Sequence, residues 1–147
     1  MKKPGSSLWI IVILFLFPLL TGVGFLATAQ TQLPDTPAAH QCGAWLQAFN
    51  GSDREAFRAF VKKNYPSMAD HVDREWQFRE MTGGFELKKV EESTPTKVVA
   101  LVQERASDQF GRLTMEVDGA EPHLITQLEI RAIARPADFG LPHLSEN

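Results

Sequence analysis

The stretch TGGFELKKVEESTPTKVVALVQER, residues Thr82 to Arg105, decides the fold, because the spacing of apolar residues changes within it. Before this stretch, apolar residues recur every three or four positions, and from Phe85 onward they tend to alternate. The first spacing is typical of a helix with one buried face, and the second of a strand. The sequence therefore predicts helices before this stretch and strands after its two glycines.

Four strands are expected from Phe85 onward. Lys97 to Arg105 is apolar toward both faces and predicts a central strand. Phe110 to Val117 and Leu124 to Ile133 alternate cleanly, so we expect their polar faces to lie together. Short turn segments separate the strands, which favours an antiparallel meander.

The charged residues of the opening stretch could form a binding patch or could cover the wet side of the sheet. Their signs are mixed and they stand at alternating positions, which favours cross-strand charge pairs on a solvated face. The residues concerned are Lys88, Lys89, Glu91, Glu92, Glu104 and Arg105.

Three helices are expected before the sheet. Thr36 and Pro37 are typical of a helix cap and first turn, and the following apolar stripe consists of Cys42, Trp45, Leu46 and Phe49. Because it lies on this stripe, Cys42 is interpreted as a core residue and not as a reactive thiol.

The second and third helices follow directly. Ser52 and Glu55 predict a capping box, and the second helix should stop by Asn64 to Pro66. The third is expected from Ser67 to about Met81, with Gly83 as its stop. Phe78 and Met81 fall off its stripe, so this helix is either buried on two sides or shorter. Three helices followed by four strands define an α+β layer fold.

The first 29 residues have the three parts of a signal peptide. Lys2 and Lys3 precede the apolar run Leu8 to Leu20, and the small residues Ala27 and Ala29 predict cleavage before Gln30. The alternative is an uncleaved membrane anchor over residues 8–29, since a span needs about 20 apolar residues. We expect a linker over 30–36, one domain over 37–134, and a tail over 135–147.

The chain without its leader carries 13 basic against 18 acidic residues, a net charge of −5. A mildly acidic surface gives no electrostatic reason to expect nucleic acid or anionic lipid as a partner. Contact with a membrane is expected only through an uncleaved leader.

Motifs for catalysis are missing from the sequence. No Ser is followed three residues later by Lys, no Gly-x-Ser-x-Gly occurs, and the four His have no metal-ligand spacing. We therefore assign no catalytic residue, no metal ligand and no cofactor. One local cluster contains Asp70, His71, Asp73 and Glu75; its His71–Glu75 pair is interpreted as a surface salt link of one helix.

A cleft between helices and sheet could still bind a ligand. The residues expected to line it are Trp45, Trp76, Phe85 and Met115. Such a pocket can catalyse a reaction with one carboxylate and one phenol. The phenol could come only from Tyr65, the single tyrosine of the sequence. Its place beside Pro66 at a helix end favours a core or edge role.

Three segments carry a resemblance to a known family: AWLQAFNGSDREAFRAF, the block from Thr82 to Val117, and EPHLITQLEIRAIARPADF. Together they resemble the amino-terminal domain of exported bacterial serine hydrolases of the β-lactamase and penicillin-binding type, and segments that precede tail-specific proteases. The resemblance covers roughly Pro37 to Leu144. It implies the cystatin-like cone of nuclear transport factor 2 and the polyketide-cyclase-like proteins, with helices on a curved sheet.

In that family the catalytic serine and lysine belong to the following domain, so no catalytic residue is carried over to this sequence. The resemblance implies an exported, periplasmic or secreted, non-catalytic accessory domain that binds a partner protein or small ligand in the helix–sheet cleft. Two alternatives stay open: a small pocket enzyme of isomerase or cyclase type, and one piece of a split serine hydrolase. A homodimer is a further expectation.

Overall fold

The computed structural model describes residues 32–140 and confirms an α+β fold with helices first and a sheet second. The predicted leader and the last part of the predicted tail lie outside these residues. The described elements are α1 (Pro37–Asn50), α2 (Arg54–Asn64), a 3-10 helix (Pro66–His71), α3 (Val72–Thr82), β1 (Phe85–Ser93), β2 (Lys97–Glu104), β3 (Phe110–Val117), β4 (Ile125–Ile133) and a second 3-10 helix (Ala137–Phe139).

The sheet is the predicted antiparallel meander, with strand order β1-β2-β3-β4. Short turns explain this order, because consecutive strands joined by a few residues pair with each other. β2 lies in the interior of the sheet, and Leu101 on its outer side is nearly as buried as Val102 on its inner side. The prediction of a strand that is covered on both faces is therefore confirmed.

Helix α1 begins and ends as predicted. The Thr36 hydroxyl accepts a hydrogen bond from the Ala39 amide, and Pro37 occupies the first turn. The whole predicted stripe is buried, because it faces the sheet and the other helices: Cys42, Trp45, Leu46 and Phe49.

Helix α2 starts one residue later than its sequence motif indicates. The prediction that Ser52 caps this helix is wrong, because Asp53 is the cap and its carboxylate accepts from the amides of Glu55 and Ala56. A carboxylate at this position also interacts favourably with the helix dipole, which a hydroxyl does not. The predicted end at Asn64 is confirmed.

The predicted third helix is divided in two, so the expectation of one continuous helix from Ser67 is wrong. A 3-10 helix ends at His71, and α3 continues from Val72 to Thr82, where Gly83 adopts φ 68°. The left-handed glycine is the predicted stop. The helix was expected to be either buried on two sides or shorter. It extends to Thr82, and of its two residues off the stripe Phe78 is half-buried against the core while Met81 is 71% exposed.

The core lies between the helices and the inner face of the sheet. The Phe49 ring stacks on Trp45 and Phe85, with centroids 4.6 and 5.6 Å apart, and meets Phe57 edge-on at 5.7 Å. Such aromatic contacts add to the stabilisation from burial. Fully buried residues of β2 and β3 complete this layer: Val98, Ala100, Val102, Leu113 and Met115.

The outer face of the sheet carries the charged residues, as predicted. Arg112 donates to both oxygens of Glu91, at 2.7 and 3.3 Å, and Lys97 pairs with Glu92 at 3.3 Å. The polar faces of β3 and β4 lie together, since Thr114 is opposite Glu129. The interpretation of these charges as cross-strand pairs is therefore confirmed for Glu91 and Glu92, whereas Lys88 pairs with Glu86 of its own strand.

Part of the predicted tail lies on this outer face. The Phe139 ring contacts the Phe110 ring with centroids 5.2 Å apart, and Asp138 lies 3.6 Å from Lys89 on β1. We call residues 135–139 the strap. Since β1 and β4 are opposite edges of the sheet, the strap crosses from one towards the other.

Candidate functional site

A hollow of about 140 Å³ lies between the helices and β4, where a helix–sheet cleft is expected. We call it the helix–sheet hollow. Its walls come from α1, the first 3-10 helix, α3 and β4, and they are apolar except for one carboxylate. The lining residues are Trp45, Met68, Glu75, Phe78, Leu128 and Ile130.

Glu75 is the polar residue of this hollow. Burial raises the pKa of its carboxyl group, and the positive charges of Arg74 and His71 oppose this effect only in part. Burial acts in this direction because a charged carboxylate loses hydration in a low-dielectric site. Glu75 therefore holds a proton more readily than an exposed glutamate does.

Tyr65 stands close to the same hollow. Burial raises the pKa of its phenol, the main chain of Leu128 lowers it, and the negative charge of Glu75 raises it further. The phenol therefore lies against a strand that lines the hollow and within electrostatic range of Glu75, although Tyr65 is not itself a lining residue. A carboxylate in the hollow and a phenol near its wall are the two group types that the sequence analysis named for acid–base chemistry.

The four residues predicted to line one pocket are only partly brought together. Trp45 lines the helix–sheet hollow, while Phe85 lines a second cavity of about 120 Å³ near the ends of β1 to β4. Met115 is fully buried in the core, and the Trp76 indole donates to Glu80 at 3.1 Å. Large apolar residues on inner faces fill the core first, which is why Trp76 and Met115 line neither cavity.

The acidic cluster around His71 is also separated by the fold. Asp73 points to α2 and forms ion pairs with Arg54 and Arg58, at 2.8 and 2.9 Å. His71 and Glu75 form no ion pair with each other, so their interpretation as a surface salt link is wrong. The break at His71 explains this outcome, because four residues in one continuous helix would have shared a face.

Sequence reasoning missed most of the hollow. Met68, Leu128 and Ile130 stood on predicted apolar faces, but periodicity does not distinguish a cavity wall from a filled core. Glu75 had one usable signal: it follows Val72 by three residues and precedes Trp76, so a carboxylate stands next to the buried stripe of α3.

A wider groove of about 480 Å³ lies on the surface between α1 and the loop before β4. His40 and His123 both line it, and the Gln41 amide donates to the Pro122 carbonyl at 3.3 Å. His40 is held by Asp35 at 2.8 Å. Within residues 32–140, no group of three His, Cys, Asp or Glu is placed to hold a metal ion.

Comparison with protein-family models, with curated proteins and with solved structures finds no match to this chain. The resemblance to hydrolase leader domains therefore stays a prediction. None of the helices within residues 32–140 has both the length and the apolar character needed to span a bilayer.

Proposed function

We propose that this protein is an exported, non-catalytic binding domain that takes a basic side chain of a partner protein in the helix–sheet hollow. The proposal follows the resemblance to hydrolase leader domains, including their cone-shaped fold and their position ahead of a catalytic domain. The observation that carries it is a single desolvated carboxylate, that of Glu75, among apolar walls.

The size of the hollow supports a side chain as its occupant. Pockets for whole small molecules measure about 300–1,000 Å³. A volume of about 140 Å³ is well below that range. It suits the end of one side chain that reaches in from a larger partner bound outside.

The residues that line the hollow favour a cation as its occupant. Glu75 offers a carboxylate, and Trp45 and Phe78 offer aromatic surfaces, which attract ammonium and guanidinium groups through their ring electrons. A bound cation would lower the pKa of Glu75 again by stabilising its charged form. The net charge of −5 without the leader favours approach of a basic partner.

A titration with acetyl-lysine-amide tests this proposal, using the Trp45 indole signal in an NMR spectrum as the reporter. We expect saturable binding that Glu75→Gln weakens at least about tenfold, a loss of about 1.4 kcal/mol of binding free energy. Asp70→Asn is the matched control, because Asp70 is exposed on the neighbouring turn and does not line the hollow. Equal binding by the native and Glu75→Gln proteins would refute the proposal.

The same titration has a pH dependence with a defined sign. Because the pKa of Glu75 is raised above 4.5, its carboxylate becomes protonated at a higher pH than an exposed glutamate. Binding of the cation should therefore weaken as the pH falls through this raised value. Binding that is unchanged across this range would place the cation elsewhere.

A small proton-transfer enzyme is the second candidate, and the electrostatic interaction between Tyr65 and Glu75 favours it. A phenol can polarise a carbonyl while a carboxylate of raised pKa removes the neighbouring proton. Its test is the exchange of the α-protons of 2-butanone in deuterated water. Acceleration that is lost in both Glu75→Gln and Tyr65→Phe would establish catalysis; no acceleration by the native protein would exclude this chemistry for small ketones.

A further inference from the structure

The sheet has two edges that differ in how well they are protected. Edge strand β1 contains register irregularities between Leu87 and Lys89 and between Val90 and Glu92, and five of its nine residues are charged. Bulges and charges are the devices that keep an edge strand from pairing with another chain.

Edge strand β4 is less protected, since its register is regular along most of its length and only two of its nine residues are charged. Its register with β3 is regular from Ile133 back to Gln127, and it contains no proline or glycine. On its inner face Leu128 and Ile130 are only half-buried, and Ala132 is exposed. A regular edge with apolar residues on one face is a surface on which another strand can add.

The sequence of β4 is complementary to itself. If two copies pair antiparallel with Ile130 opposite Ile130, then Glu129 of each copy stands opposite Arg131 of the other. Leu128 then meets Ala132 on the inner face. Within one chain Glu129 and Arg131 lie 2.7 Å apart on the outer face, and in the dimer each would also face the opposite charge of the second copy.

Other registers are less favourable. Pairing centred on Glu129 would set Glu129 against itself, and pairing centred on Arg131 would set Arg131 against itself. Directly opposed like charges destabilise a strand pair, whereas opposite charges stabilise it. Of these three registers, the charges favour the one centred on Ile130.

We propose that two copies of this chain associate through β4, antiparallel and centred on Ile130, and so form one continuous eight-stranded sheet. The inference does not depend on the proposed binding of a basic side chain. One existing contact must change. The Leu128 main chain forms a hydrogen bond with the Tyr65 phenol in one chain, and in the dimer it would bond instead to the Ala132 main chain of the second copy.

Charge reversal tests the register. Sedimentation velocity of the full chain in non-ionic detergent should show a dimer that dissociates on dilution. In the dimer, residue 129 of each copy faces residue 131 of the other, so Glu129→Arg and Arg131→Glu each create two pairs of like charges. We expect each variant to raise the dissociation constant at least about tenfold. The double variant Glu129→Arg with Arg131→Glu restores both pairs and should return the constant to within about threefold of the native value.

Lys89→Glu on the opposite edge is the control and should leave the dimer unchanged. Circular dichroism checks that every variant is folded. A native protein that stays monomeric at about 100 µM, or a folded double variant that does not recover association, would overturn the proposal.

Disulfide formation gives an independent test. In this register residue 130 faces its own copy, so Ile130→Cys should form a dimeric disulfide under mild oxidation. Ala132→Cys is the matched control on the same face, since its two copies lie about 14 Å apart along the strands, too far for a disulfide. Cys42 is fully buried and does not compete. Equal cross-linking at both positions would contradict the register.

Discussion

At the scale of single residues, one amide side chain joins the two halves of the fold. The Asn50 side chain donates to the Phe85 carbonyl and accepts from the Phe85 amide, both at 2.8 Å. It thereby satisfies the main chain at the start of β1 in the way that a neighbouring strand would. Gly84 leaves room for it: a Cβ there would lie 2.5 Å from the Asn50 side-chain oxygen.

The first prediction is that Gly84→Ala destabilises the protein by about 2 kcal/mol or more, because the new methyl group displaces Asn50 and alanine disfavours a positive φ. The φ of Gly84 is +93°. Gly119→Ala is the control, since its Cβ would have ordinary contact at 3.8 Å and its φ is not positive. Urea denaturation measures both, and similar losses would contradict the role of Asn50.

The burial of Cys42 changes the acidity of its thiol. The thiol is fully buried on α1, and burial raises its pKa from 9.0 to about 12. The folded state therefore keeps the thiol neutral in a pH range where the unfolded chain ionises it.

The second prediction concerns pH. Since the folded pKa is raised, the contribution of Cys42 to stability is complete below pH 9 and is lost as the pH rises from 9 towards about 12. We expect the stability advantage of the native protein over Cys42→Ala to narrow over that range. Thermal denaturation at several pH values measures it. An advantage that stays constant to pH 11 would show that the thiol is not desolvated in the fold.

At the scale of elements, helices α1 and α2 each begin where a side chain reaches the free amides of the first turn. The sequence before α2 contains the motif residues Ser52 and Glu55, yet Ser52 does not cap the helix. The Asp53 carboxylate accepts from the amides of Glu55 and Ala56 instead. The path of the chain between α1 and α2 determines which residue stands at the cap, and this path is set by packing of Phe49 against Phe57.

The third prediction separates the two capping candidates. Asp53→Ala should cost about 1 kcal/mol, within the range of about 0.5–2 kcal/mol for lost caps. Ser52→Ala should change stability by less than about 0.5 kcal/mol, as is usual at an exposed site. Chemical denaturation of both variants decides between them, and the reverse order would restore the capping box.

At the scale of the whole molecule, the outer face of the sheet is only partly open to water. The strap covers the Phe110 side with Phe139, and the Arg135 guanidinium lies 5.1 Å from the centre of the Phe110 ring. Arg135 is also 3.5 Å from Asp108. The strap therefore belongs to the packed domain up to Phe139, although its sequence lacks any period.

The fourth prediction is that Phe139→Ala destabilises the protein by about 1–2 kcal/mol, less than a fully buried phenylalanine, because the ring is only half-buried. Asp138→Asn should have little effect, because exposed ion pairs contribute little. Thermal denaturation of the two variants measures the difference. If Phe139→Ala is as stable as the native chain, the strap does not contribute to folding.

The sequence predicted the elements well because their apolar periods are strong. Strands β2 to β4 were expected within one residue of their observed ends, and the burial of Cys42, Trp45 and Phe49 followed from their spacing alone. The site was predicted less well. Trp45 was expected at the hollow, whereas Glu75 was assigned to a surface pair, because spacing along one helix does not reveal a break at His71.

The sequence by itself determined the order of helices and strands, the antiparallel connections and the face of each element that is buried. These follow from local spacing, since side-chain direction repeats every 3.6 residues in a helix and every two in a strand. Only the tertiary structure decided the cap of α2, the position of the strap and the desolvation of Glu75. The strap and the burial of Glu75 depend on distances between residues far apart in the chain, which no local pattern contains, and the cap of α2 depends on the path of the chain between α1 and α2.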